Sequence, residues 1–109
     1  MEELKRCLPE LRYLLQHLNS HERVAYIKTG SDRITNCLTE VGLNLMYSNK
    51  NGLPLTSDHI QQLKPFKREI KKLILSKTVG QRKKLLKEKL VDCLLSVILS
   101  VVSTLELET

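Results

Sequence analysis

The residues of this chain best suited to holding a metal are three histidines, His17, His21 and His59, and three cysteines, Cys7, Cys37 and Cys93. Their spacing argues against a site. His17 and His21 stand four apart, but Asn19-Ser20 between them reads as a helix boundary, and no C-x-x-C pair occurs, so no zinc or other metal is expected. The carboxylates Glu22, Asp32 and Glu40 fall at cap or outward positions, and neither a phosphate-cradling G-x-x-x-x-G-K-[ST] loop nor a nucleophile motif is present. Catalysis also needs a walled cleft, which a bundle this small could hardly supply. The expectation is a non-enzyme with no cofactor.

Binding chemistry is concentrated in one stretch. The chain carries a net charge of +6, yet residues 64–89 hold eleven Lys/Arg against two acids, a net of +9, so the rest of the chain is at −3. Like charges at helical spacing repel one another, and so dense a block is expected to meet a polyanion. The predicted nucleic-acid-binding residues are Lys64, Lys67, Arg68, Lys71, Lys72, Lys77, Arg82, Lys83, Lys84 and Lys87. Lysine acts as a point charge suited to phosphate and not to a bidentate base contact, and Phe66 is the block's lone aromatic, so binding should be sequence-tolerant and driven by counterion release. A helix-turn-helix is disfavoured because residues 48–55, with Pro54, make too long a turn.

The elements that must position this block follow from periodicity. Only 4% of residues are aromatic, and Gly and Pro total seven, which disfavours a β-fold; the pattern predicts a small all-α bundle of about five helices in a single domain. Residues 1–47 should form an N-terminal helical core. There Leu4, Leu8, Leu11, Leu15 and Leu18 lie on one face, with the regular helix beginning at Pro9 and residues 2–7 a looser turn. Ser20 is the expected N-cap of a short second helix through Lys28, with Val24 and Ile27 inward. Ser31-Asp32 caps a third with the stripe Ile34, Cys37, Leu38, Val41 and Leu45, with Met46 at its margin. Residues 48–55 read as a loop.

Residues 56–105 then supply a basic helix pair and an apolar C-terminal helix. The cationic fourth helix, capped by Thr56 or Ser57, carries Ile60, Leu63, Ile70, Leu73 and Ile74 on one side and should kink at Pro65; Ser76 to Gly80 breaks the pattern before it restarts at Gln81. From Leu90 to Val102 the only polar residues are Asp92, Ser96 and Ser100, a thin strip on an otherwise apolar cylinder. This stretch is short of the roughly 20 residues that cross a bilayer, and Asp92 adds to the cost. It is expected to pack inward or to self-associate, with Leu94, Leu95, Ile98, Val101 and Val102 as interface residues. Two rival readings use the same helix: capture of a partner protein by its apolar face, and membrane activity with the lysines on anionic headgroups. The three widely spaced cysteines suggest reduced, buried thiols in an intracellular protein, and the N-terminus lacks a basic region ahead of an apolar run, so it does not read as a secretory signal.

The succession Asp32-Arg33-Ile34, Cys37-Leu38-x-Glu40, Leu43-Asn44, Gly52-Leu53-Pro54-Leu55-Thr56, Leu63, Phe66-Lys67, Ile70, Leu73 and Arg82-Lys83-Lys84-Leu85-Leu86, followed by an apolar tail, resembles a family of short basic proteins. These are encoded by Polinton- and adintovirus-type DNA elements and have been likened to adenovirus core protein X. The resemblance spans about residues 20–102 and implies a virion-core or DNA-condensing role in a nucleus or virion, with Lys67, Arg68, Lys83, Lys84 and Arg82 as carried-over basic positions. The family's Gly-Gly-Phe turn after Lys-Lys-Leu-Leu is replaced here by Lys87-Glu88-Lys89-Leu90, which suggests one continuous helix from Gln81 to about Leu105.

Overall fold

Buried leucine, isoleucine and valine stripes on four helices converge on the C-terminal helix. In a computed structural model, which describes residues 2–51 and 53–108 apart from the side chains of 2, 3, 49, 51 and 105–108, the chain is all-α. The helices are α1 (Glu2–His17), α2 (Ser20–Thr29), α3 (Asp32–Met46), the single turn α4 (Ser48–Asn51), α5 (Ser57–Leu63), α6 (Lys67–Leu75), α7 (Val79–Leu85) and α8 (Glu88–Glu108). A 3-10 turn at Lys64–Phe66 joins α5 to α6.

Two helices organise the rest. The apolar α8 packs against α1, α2, α3 and α5, while α3 also backs α6 and α7. Leu94, Leu95, Ile98, Val101 and Val102 are buried with Leu11, Leu14, Ile27, Leu38 and Val41 in one hydrophobic cluster. The five residues expected at an interface are therefore core residues of the single chain, because a cylinder apolar nearly all round is here covered nearly all round. No helix among the described residues is long and apolar enough to cross a membrane.

Two residues of the polar strip of α8, Asp92 and Ser100, make contacts within the chain. Arg23 on α2 donates from Nη1 to Asp92 Oδ1 at 2.7 Å, from Nε to the Leu14 carbonyl at 2.8 Å and from Nη2 to the Leu15 carbonyl at 2.8 Å. Leu14 and Leu15 lie in the last turn of α1, whose carbonyls lack helical partners, so one guanidinium caps α1 and ties it to α2 and α8. The Ser20 hydroxyl donates to the other Asp92 oxygen. Ser20 is thus not the N-cap of α2. Asn19 is: its side chain accepts from the Glu22 N–H while Glu22 accepts from the Asn19 N–H, a reciprocal capping box. Val24 is half-buried, and Ile27 carries the inward contact.

Other boundaries also differ from the sequence reading. Helix α1 runs through Pro9 from Glu2, because Leu4 and Cys7 are buried and hold the first turns in place, while Pro9 faces solvent, where water can serve the carbonyl left without a donor. Residues 48–51 form the α4 turn, not a loop; the Leu53 N–H donates to the Ser48 carbonyl at 3.0 Å, and Leu53 is buried. Gly52 of that expected turn cluster lies outside the described residues.

The continuous helix from Gln81 does not form. Helix α7 begins earlier, at Val79, capped by the Thr78 hydroxyl, and ends at Leu86. There the backbone takes φ −80° and ψ 78°, and the Lys87 N–H donates to the Leu85 carbonyl at 3.0 Å. That is an inverse γ-turn, open to any L-residue. Leu86 is fully buried, and α8 restarts at once, with the Val91 N–H on the Lys87 carbonyl at 2.9 Å.

The thiol expectation is corrected as well. Cys7 on α1 and Cys37 on α3 form a disulfide with their Cα atoms 5.9 Å apart, closing a sequence separation of 30. Both stripes face inward and the helices pack together, which brings the two residues within bonding range. Cys93 remains a free thiol, 3.4 Å from the Gln62 carbonyl, and its burial pushes its pKa up.

Candidate nucleic-acid interface

The basic block is distributed over α6, the 76–78 break, α7 and the start of α8. Helix α6 buries Ile70 and Leu73 against α3 and half-buries Ile74, so the remaining positions of its circumference point outward. Pro65 converts the preceding turn to 3-10 geometry, as its missing N–H requires. Thr56 caps α5 through its hydroxyl on the His59 N–H at 3.2 Å, while the Thr56 N–H donates to His59 Nδ1 at 3.1 Å. His59 is buried, with Nε2 3.0 Å from the Ser100 hydroxyl of α8, which fixes the lead-in to the basic helix.

Of the eleven bases in residues 64–89, nine are solvent-exposed: Lys64, Lys67, Arg68, Lys71, Lys72, Lys77, Lys84, Lys87 and Lys89. None of the nine makes an ion pair with a described residue. Nearby, the acids Glu69 and Glu88 are also exposed.

Arg82 and Lys83 behave differently. Arg82 donates to the Asn36 side chain at 3.3 Å and to the Ser76 carbonyl at 3.2 Å, at the end of α6. Lys83 reaches the Gly30 carbonyl at 3.1 Å and Asp32 at 3.6 Å, and its side chain is only 19% exposed. Both cations sit on helix C-termini, where carbonyls without partners attract positive charge. They fasten α7 to α3 and to the end of α2, so two of the ten predicted contact residues are half-buried and engaged within the chain.

Two grooves collect five of the nine outward cations. The first, of about 690 Å³, lies between the end of α3, the 53–56 link, α5 and α6. Its apolar floor is Leu45, Met46, Leu55, Ile60, Leu63 and Ile70; Lys67, Arg68 and Lys71 line one edge. The second is shallower, between α6 and α7, and brings Lys72 and Lys84 together beside Leu75, which is 76% exposed. Lys64, Lys77, Lys87 and Lys89 are exposed but line neither groove. A groove of this size in so small a bundle was not expected from the sequence; the signal was Ile60, placed on the inward stripe and found 50% exposed.

The residues considered for metal or catalysis are dispersed. His17 lies against Tyr13 with ring centroids 5.2 Å apart, His21 is 3.9 Å from Glu88, and His59 serves as a capping partner. No three His, Cys, Asp or Glu among the described residues could jointly hold a metal. Asp32 meets Lys83, Glu22 closes the α2 capping box, and Glu40 accepts from the Asn44 amide at 3.4 Å. A third cleft lies over the disulfide and is bordered by Arg6, Arg33, Asn36 and Glu40. No family model, no curated protein and no solved structure matches the chain.

Proposed function

We propose that this chain binds nucleic acid, double-stranded DNA foremost, without sequence preference, through the outward surface of α6, α7 and the residues that join them. The observation that carries this reading is the set of nine exposed cations with no ion-pair partner among the described residues. Unrelieved repulsion of this density is a cost that a counter-anion removes. Packaging or condensing DNA in a virus-like particle is the role the family resemblance implies. The Cys7–Cys37 disulfide favours the virion over the reducing nucleus as the place of residence.

Binding of a random-sequence duplex, followed by fluorescence anisotropy across salt, tests it. With six of the nine cations on phosphates, a log–log slope of about −5 corresponds to roughly a thousandfold loss between about 50 and 200 mM salt. Lys84→Gln should reduce the slope by about one. Arg82→Gln should leave the slope in place and lower the melting temperature, since its side chain is committed to Asn36 and Ser76. An affinity that changes less than about threefold over that salt range would refute phosphate contact as the mechanism.

A further inference from the structure

The groove between α3, the 53–56 link, α5 and α6 has a composition that duplex binding does not use. A surface that meets phosphates needs cations, not an apolar floor. Here a concavity of about 690 Å³ carries Met46, Leu55 and Ile60 only partly covered, above the buried Leu45, Leu63 and Ile70. That volume falls within the range of small-molecule sites, which are mainly apolar with a few polar groups that fix orientation.

The charged groups among the described lining residues are all of one sign and stand on one helix. Lys67, Arg68 and Lys71 stand at i, i+1 and i+4 of α6, so Lys67 and Lys71 lie one above the other with Arg68 beside them, and among the described residues no carboxylate lines the groove. Among the described lining residues the other polar one is Ser48. Ile60 points the same way: it belongs by spacing to the inward stripe of α5, yet the core leaves it half exposed, facing this space.

We propose that this groove binds an amphiphilic anion, an unbranched apolar chain bearing a phosphate or carboxylate head. The chain lies over Met46, Leu55 and Ile60, and the head is held by Lys67, Arg68 and Lys71. Phosphate takes charge-assisted hydrogen bonds from all three cations, while the alkyl chain removes the partly exposed floor from water.

The test uses decyl phosphate, decanol and inorganic phosphate, each below any micelle-forming concentration, with methyl chemical shifts of Met46, Leu55 and Ile60 as the readout. Decyl phosphate should shift these methyls and bind about tenfold or more tightly than decanol. Inorganic phosphate should leave the methyls unmoved. Ile60→Asp should weaken decyl phosphate about tenfold or more while leaving the salt slope of duplex binding intact, so failure here is distinguishable from failure of the DNA reading. Lys67→Gln with Lys71→Gln should weaken decyl phosphate and leave decanol unchanged. Phosphatidic-acid vesicles distinguish the source: the same methyl shifts on vesicles assign the head to a membrane lipid, and shifts with the free compound alone assign it to a soluble amphiphile. Decanol binding as tightly as decyl phosphate overturns the proposal. So do methyls that stay still with every amphiphile, or that move only with an acidic amphipathic peptide.

Discussion

Removing the Asp92 carboxylate separates the worth of the Arg23 clasp from the worth of burying α8. In the folded chain the Arg23 side chain is 11% exposed and that of Asp92 is 34% exposed, with Nη1 and Oδ1 2.7 Å apart. In Asp92→Ala the guanidinium keeps the Leu14 and Leu15 carbonyls but loses its counter-charge, and the Ser20 hydroxyl loses its acceptor. A charge-assisted hydrogen bond contributes about 1.5–3 kcal/mol, and breaking a fully buried pair costs about 3–5 kcal/mol. One-third exposure of Asp92 lets water replace part of the loss, and alanine recovers some helix propensity, so the expected cost is about 2 kcal/mol. Arg23→Met removes the pair and also leaves two carbonyls at the end of α1 without a donor, for about 3–4 kcal/mol. The double variant should cost little more than Arg23→Met alone, because both substitutions act on one interaction; a coupling of at least about 1 kcal/mol is expected. Urea unfolding monitored by far-UV circular dichroism supplies all three values. A cost below about 0.5 kcal/mol for Asp92→Ala, or additivity of the two single variants within about 0.3 kcal/mol, would refute the clasp.

Reducing the Cys7–Cys37 bond, or replacing both residues by Ser, should lower stability by about 3–4 kcal/mol on the chain-entropy estimate for a loop of this length, read as a drop in melting temperature with reductant. Alkylation of the denatured, unreduced chain should label one thiol, Cys93, and labelling after reduction should reach three. In the folded chain the raised pKa of Cys93 means that its alkylation rate reaches half-maximum at a higher pH than that of a free cysteine; a profile matching the free amino acid would count against its burial. Gly80→Ala, where an added methyl meets nothing within 4 Å inside α7, should raise stability by about 0.5–1 kcal/mol. Gly42→Leu, where the first carbon already stands 3.3 Å from Ile70, should lower it by about 1–3 kcal/mol.

Much of the fold was legible because its signals are local. The stripe Ile34, Cys37, Leu38, Val41 and Leu45, the Thr56 cap, the disturbance at Pro65 and the inward preference of the C-terminal helix each follow from a few neighbouring residues. The misses depend on where distant residues arrive. Arg82 and Lys83 look in sequence like Lys84, and only the packing of α7 against α3 sets Gly30, Asp32 and Asn36 in front of them. The disulfide needed α1 and α3 side by side, and the continuation of α1 through Pro9 needed Leu4 and Cys7 buried. The break at Leu86 carries no glycine or proline signal, because an inverse γ-turn demands neither.

That turn has a consequence for how the chain tolerates changes in length. Within an unbroken helix, each inserted residue rotates everything beyond it by about 100°, so a cationic helix fused to an apolar one would have its azimuth dictated by the core. At Leu86 and Lys87 the screw is interrupted, and α7 takes its rotation from the Arg82 and Lys83 contacts with α3 while α8 takes its own from the surrounding helices. An extra residue beside Lys87 changes the angular phase of neither. The two helices can drift in relative register over evolution while one keeps its lysines outward and the other keeps its leucines covered.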